Sequence, residues 1–227
     1  MAEALVIAIV GAESTGKTAL AAALAERVAA ETGLACTWVP EHLRRWCEHE
    51  GRTPRPDEQP AIAAAQRDLI ESAAMANDVV IADTTPLMTA VYSRKLFADD
   101  ALTAGAVAWQ RRCGLTLLTA LDLPWVADGL QRDGPQVRAP IDALLRELLM
   151  HHRLPWALVA GLGDERVENA LDAIAPLLRQ RRSPRRGLFT RLAERNATDR
   201  PWTCELCDDA ACEHRARLGA PPHPPAR

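Results

Sequence analysis

Gly11-Ala12-Glu13-Ser14-Thr15-Gly16-Lys17-Thr18 is the stretch that decides how this chain folds. Its spacing, G-x-x-x-x-G-K-[ST], is that of a phosphate-binding loop. Residues 4–10 upstream form an unbroken apolar run of strand length, and residues 18–30 downstream are rich in alanine and leucine at helical spacing. Strand, loop and helix thus follow in the order the motif requires. Gly11 and Gly16 let the backbone approach an anion closely, because neither carries a side chain. The N–H groups of the loop, through Glu13, Ser14 and Thr15, then face the phosphates together with the positive end of the new helix. Lys17 is expected to reach the β- and γ-phosphates of ATP, and the Thr18 hydroxyl to hold Mg²⁺. Composition sharpens the assignment: the chain has only two lysines, Lys17 and Lys95, and arginine supplies the rest of its positive charge.

Further along, residues 35–39 predict a second strand ended by Pro40, and Glu41-His42-Leu43-Arg44-Arg45-Trp46 opens a helix. Residues just past the carboxyl end of a parallel strand face the ligand crevice. Glu41, and Arg44 one turn later, are therefore expected near a substrate; a solvated glutamate–arginine pair is the alternative. Residues 51–60 read as a polar, proline-rich loop. Residues 61–77 read as a long helix whose polar positions Gln66, Arg67, Asp68 and Glu71 lie mainly on one side. Residues 78–83 predict a third, buried strand ending in Asp83, the position of a carboxylate that binds Mg²⁺. Thr84-Thr85-Pro86 resembles a helix start, and simple capping of that helix is the alternative role for Asp83.

Helical stretches at 87–97 and 99–112 carry Tyr92, Arg94, Lys95 and Trp109. Core packing is the expected role of the aromatics, and stacking on a flat substrate ring the alternative. Residues 115–121 predict a fourth strand ending at Asp122. The polar, Gly/Pro-broken segment 124–138 follows, carrying Arg132 and Arg138 where small P-loop kinases have a closing lid. Lid arginines neutralise charge on a transferring phosphoryl group and exclude water; non-functional surface arginines are the alternative. A helix at 141–153, a fifth strand at 156–160 and a helix at 167–180 complete the pattern. Arg166, after Gly161-Leu162-Gly163, is a candidate for stacking on adenine. Five strands alternating with helices predict an α/β fold, a parallel five-stranded sheet with helices on both faces.

Composition excludes several classes. Of the 227 residues, 48% are apolar and 25% charged, enough for a core and ordinary for a soluble protein. The net charge of −3 provides no overall basic field for nucleic acid or a membrane surface. No apolar run reaches membrane-span or signal-peptide length, and the cytoplasm is the expected compartment. Residues 1–180 are expected to form the P-loop domain. Residues 181–227 read as a basic linker followed by a short Cys-rich C-terminal tail whose last residues are proline-rich. Cys204-x2-Cys207-x4-Cys212-x-His214 offers three sulfurs and a nitrogen, a sufficient set for a closed, structural Zn²⁺ site; loose thiols in a tail are the alternative. Cys36, Cys47 and Cys113 read as inert thiols.

Pro124-Trp125-Val126-Ala127-Asp128-Gly129-Leu130 adds specificity. It resembles a segment of the ribosylnicotinamide kinase domain of the bacterial bifunctional NAD-biosynthesis regulator family. The loop at 11–18 is similar to that family's G-x-E-S-[ST]-G-K-[ST], including Glu13 and Ser14; Glu41 and Arg44 resemble its E-x-x-R, Asp83-Thr84 its acid plus threonine, and Arg138 a lid arginine. The resemblance covers roughly residues 5–178 and excludes the tail. Gln131 stands where the family usually has arginine, with Arg132 one place later, and Thr85 where it often has a second acid. The resemblance implies a P-loop kinase that moves the γ-phosphoryl of ATP, with Mg²⁺, to nicotinamide riboside. Lys17, Glu41, Asp83, Arg132 and Arg138 would then be catalytic, and Glu41, Arg44, Asp83, Trp125 and Asp128 would face the nucleoside. Another nucleoside or nucleotide kinase, or a regulatory ATPase acting through the tail, are the alternatives.

Overall fold

The computed structural model describes residues 3–126 and 134–181. Asp128, Gln131 and Arg132, the basic run beyond Arg181 and the Cys204–Cys207–Cys212–His214 set lie outside the described residues. The five expected strands are present: β1 (Leu5–Val10), β2 (Cys36–Val39), β3 (Val79–Asp83), β4 (Leu115–Thr119) and β5 (Trp156–Val159). They pair in the order β2-β3-β1-β4-β5, every pair parallel. The helices are α1 (Lys17–Thr32), α2 (His42–Glu50), α3 (Gln59–Ala74), α4 (Pro86–Phe97), α5 (Thr103–Gln110), α6 (Arg138–His151) and α7 (Asp164–Arg181).

The sheet is covered on both faces, which is why its inner strands read as unbroken apolar runs. Side chains alternate across each strand. Leu5, Ile7 and Ile9 of β1, with Val79, Ile81, Leu117 and Val159, pack on α1 and α7 through Leu20, Leu24, Val28, Val167 and Ile174. On the other face Ala8, Val80 and Ala82 meet Ile70 of α3 and Trp109 of α5. Val10 and Leu118 meet Leu87 and Val91 of α4 and Ile141 and Leu145 of α6. Because β1 is the central strand, its phosphate loop emerges between the carboxyl ends of β3 and β4.

Several boundaries differ from expectation. β4 stops at Thr119 rather than 121; the Ala120 N–H still bonds the Val159 carbonyl, and the chain then turns. Asp122 therefore sits beyond the strand. α5 is shorter than 99–112, because the Asp99 carboxylate accepts the Ala101 N–H and the Asp100 carbonyl the Thr103 N–H, a turn that delays the helix. α6 and α7 begin earlier than expected, so Arg138 and Arg166 are helical residues rather than loop residues. Gln66 is not on a solvated face: it is 3% exposed, on the buried side of α3 with Ile62 and Ile70. Trp109 packs in the core, with its indole N–H on Glu71 Oε1 at 2.9 Å. Among the described residues, Cys36, Cys47 and Cys113 are in no disulfide, and no helix is long and apolar enough to cross a membrane.

Candidate active site

The phosphate loop curls through three left-handed or permissive backbone positions, Gly11 (φ 155°), Ser14 (φ 55°) and Gly16 (φ 74°). The two glycines also answer to their neighbours. A Cβ on Gly11 would lie 2.0 Å from Thr119 Oγ1, and one on Gly16 would lie 2.9 Å from Leu123 Cδ1. The Thr119 hydroxyl is 2.7 Å from that of Thr15, which donates to the Ala12 carbonyl at 2.8 Å. The end of β4 is thus wedged under the loop. Gly11→Ala is expected to cost about 3 kcal/mol of stability, from the disallowed φ together with overlap against a stiff β-branched side chain. Chemical denaturation measures it, and a change below about 1 kcal/mol would contradict the wedge.

Lys17 opens α1 and donates from Nζ to the Ala12 carbonyl at 2.8 Å, keeping its ammonium on the loop. The Thr18 hydroxyl donates to Asp83 Oδ2 at 2.6 Å. That contact joins the first turn of α1 to the end of β3, so the two residues expected to hold Mg²⁺ are adjacent. Asp83 is 1% exposed, and its Oδ1 is buried without a hydrogen-bond partner. Burial pushes its pKa above the ordinary carboxylate value, opposed by the Thr18 hydrogen bond and the charges of Lys17 and Arg44. A buried carboxylate oxygen with unused acceptor capacity beside a hydroxyl is a hard-oxygen set that fits Mg²⁺. No α4-capping hydrogen bond involves Asp83: the cap position is Thr85, and its hydroxyl donates instead to Gln110 Oε1 at 2.7 Å.

Glu41 leaves β2 as the cap residue of α2. It lines a small pocket with Leu43, Ile62, Gln66, Thr84, Met88, Thr89 and Tyr92. Glu41 and the residue following Asp83 therefore share one cleft at the carboxyl edge of the sheet. Among the described lining residues Glu41 alone carries a charge. Arg44, one turn into α2, is close enough for its charge to lower the pKa of Asp83. Burial and the neighbouring Arg45 hold the His42 imidazole below its ordinary pKa.

Past β4, Ser14 fastens the phosphate loop to residue 126: its Oγ donates to the Val126 carbonyl at 2.7 Å and accepts the Val126 N–H at 3.0 Å. Arg138 is 8% exposed and donates from Nη2 to the Leu123 carbonyl at 2.9 Å, so it braces the segment from below. Trp125 is half-buried, and its Nε1 is buried without a hydrogen-bond partner.

Arg166, expected to stack on adenine, is 4% exposed and holds three segments together. Its Nε donates to the Gly161 carbonyl at 3.0 Å, Nη1 to the Thr15 carbonyl at 3.2 Å, and Nη2 to Asp122 Oδ1. In this conformation little of its guanidinium face is open to a ring. Although desolvation works the other way, the Arg166 hydrogen bond and the Gly161 N–H keep Asp122 below its ordinary pKa. A cavity of about 650 Å³ lined by Val6, Ile70, Met75, Trp109 and Cys113 lies at the other end of the sheet, away from the phosphate loop.

Sequence reasoning missed Gln66, Thr119 and the Asp122–Arg166 pair. Only Gln66 left a local signal: a polar residue four positions from both Ile62 and Ile70 occupies their helical face.

A protein-family model described as AAA domain matches residues 6–166. No curated protein sequence matches the chain. Among solved structures, the NadR protein in complex with NR superposes with a TM-score of 0.59 at 20% identity, covering 76% of this chain and 50% of that one. The NadR protein in complex with NAD and AMP-PNP gives a TM-score of 0.58 at 20% identity, covering 76% and 49%. Thymidylate kinase from Ehrlichia chaffeensis gives 0.54 at 14% identity, covering 78% of this chain and all 100% of that one. At these identities the likeness establishes a P-loop kinase fold, and the chain spans about half the length of the NadR chains it matches.

Proposed function

The chain belongs to the AAA-domain family, and on that premise we propose that it is an ATP-dependent kinase of a small nucleoside, with nicotinamide riboside the favoured acceptor. The observation that carries this reading is the pocket beside the Thr18–Asp83 pair, whose charged lining residue among those described is Glu41. A carboxylate in that lining suits a hydroxylated acceptor, whose hydroxyl proton it can accept. Nicotinamide riboside carries a cationic ring and a free 5′-hydroxyl. The fold shared with the NadR protein, whose complex with NR is known, supports the same choice.

In this reading the oxygen of the 5′-hydroxyl attacks the γ-phosphorus, the bond to ADP breaks, and the hydroxyl proton passes to Glu41. Arg44 orients the ribose or Glu41 itself. Lys17 and the amides of residues 11–18 hold the β- and γ-phosphates, while Thr18 and Asp83 would hold Mg²⁺. Bound there, the metal neutralises charge on the phosphate oxygens. By the family resemblance Arg132 would neutralise charge on the transferring group and Trp125 and Asp128 would serve the nucleoside, while Arg138 acts through the Leu123 carbonyl that it holds. Arg166 serves nucleotide binding indirectly, by fixing the carbonyl of Thr15.

The experiment is an ATP-consumption assay with purified protein, Mg²⁺ and a panel of nucleosides, with products identified by mass. Nicotinamide mononucleotide formed in step with ADP is the expected result. Phosphorylation of a different nucleoside would keep the kinase and discard this acceptor. ADP with no phosphorylated product would favour a regulatory ATPase.

A further inference from the structure

We propose that Gln66 is a positioning residue of this site: its single carboxamide ties the peptide after Glu41 to the peptide after Thr84, the residue that follows Asp83, and so sets one carboxylate relative to the other. The inference rests on the reading of Glu41 and Asp83 as the acceptor-side and metal-side carboxylates.

α2 is a nine-residue helix that starts directly off β2. The first amides of a helix have no partner within it, and a side chain at the cap position normally accepts one of them. Glu41 occupies that position and makes no cap hydrogen bond. The first of those amides is taken from a different element: Gln66 Oε1, on α3, accepts the His42 N–H at 2.6 Å. The other end of the same carboxamide reaches the turn after β3, where Nε2 donates to the Thr84 carbonyl at 3.4 Å.

Thr84 needs such a hold. It is β-branched with φ 67°, a backbone conformation such residues rarely adopt, and it persists only where its surroundings over-determine it. Its N–H donates to the Ile9 carbonyl at 3.0 Å, which pins one side of the residue to β1. Gln66 bonds the carbonyl on the other side. The partners also dictate the chemistry at position 66. An amide hydrogen at His42 requires an acceptor, and a carbonyl at Thr84 requires a donor. Among side chains of this length only glutamine offers both in one planar group at neutral pH. A carboxylate would accept and not donate, and an aliphatic side chain would do neither. With Gln66 buried on the Ile62–Gln66–Ile70 face, water is poorly placed to take over either bond.

Three measurements on the full chain test this, using Gln66→Leu and, in parallel, Gln66→Glu. In amide hydrogen exchange of Gln66→Leu, His42 is expected to exchange at least about 10-fold faster while the amides of α5, remote from the cap, keep their protection. In kinetics with MgATP and nicotinamide riboside, turnover is expected to fall about 10- to 100-fold while affinity for AMP-PNP stays within about two-fold, since the phosphate loop is not touched. Combined with Glu41→Gln, Gln66→Leu should add little further loss, because placing Glu41 relative to Asp83 has value only while Glu41 is a carboxylate. Gln66→Glu is expected to recover part of the lost activity as pH falls and its carboxyl regains a donor.

Unchanged exchange at His42, a parallel collapse of AMP-PNP affinity, or losses that multiply with Glu41→Gln would overturn the proposal. If the wild type phosphorylates no nucleoside, the functional reading fails separately, and the exchange measurement still decides whether Gln66 fixes α2.

Discussion

Lys17→Ala is expected to reduce phosphoryl transfer by about 10³-fold or more, equivalent to roughly 4 kcal/mol of transition-state stabilisation. In phosphoryl transfer the protein contributes chiefly position and charge, and this ammonium is the single lysine of the phosphate loop. Stability should respond far less. In the nucleotide-free protein the ammonium bonds the Ala12 carbonyl at 2.8 Å, and losing one such bond costs about 1–2 kcal/mol. The signature is therefore a large fall in turnover with a melting midpoint lowered by only a few degrees. Steady-state turnover and thermal unfolding on the same preparation read both. Near-normal turnover would remove Lys17 from the mechanism and with it the kinase assignment.

Asp83→Asn should move activity and stability in opposite directions. Turnover is expected to drop by about 10²–10³-fold, because the carboxylate that suits Mg²⁺ is replaced by a neutral amide. The ligand-free protein should become more stable at neutral pH. The sign follows from burial. Desolvation raises the pKa of Asp83 in the folded state, with the Thr18 hydrogen bond and the charges of Lys17 and Arg44 only partly offsetting it. A raised carboxyl pKa means the folded state prefers the neutral acid. Its contribution is fully present below the unfolded pKa and is lost as pH rises through the folded value. Asparagine stays neutral throughout, so the variant gains on the wild type as pH rises from about 4 toward neutrality. A gain of about 1 kcal/mol would appear as roughly 2–4 °C in melting midpoint at pH 7.5, shrinking below pH 4. Saturating Mg²⁺ with a non-hydrolysable nucleotide should stabilise the wild type more than the variant. A variant less stable than the wild type at every pH would mean that Asp83 serves the fold rather than the metal.

The two predictions differ in how visible their basis was. Lys17 belongs to an octapeptide whose geometry is local: strand, tight turn and helix are set by neighbours in the chain, and the structure places α1 from Lys17 as the spacing requires. Asp83 was legible as the last residue of a buried strand. Its contact with Thr18, 65 positions earlier, depended on β1 and β3 being neighbours in the sheet. Glu41 is legible as the residue past the end of β2, while the residues sharing its pocket come from α2, α3, α4 and the turn after β3. The sequence suggests Arg166 as an adenine-stacking residue and Arg138 as a lid arginine, whereas both are buried. What they touch, backbone carbonyls at Thr15 and Leu123 respectively, follows from where α7 and α6 pack.

By itself, then, the sequence determined the local signals: apolar runs of strand length, helical spacing, the glycines and lysine of the phosphate loop, and the acids at strand ends. These depend on interactions over a few residues, and hydrophobic periodicity records them directly. Only the tertiary structure decided which polar groups were taken out of water and with whom. Gln66 is polar by composition and buried by packing, and its two partners are 24 and 18 residues away. Thr119 supports a loop more than a hundred residues earlier. Buried polar groups must find partners wherever the packed elements present them, so their roles are properties of the assembled sheet and helices rather than of any stretch of chain.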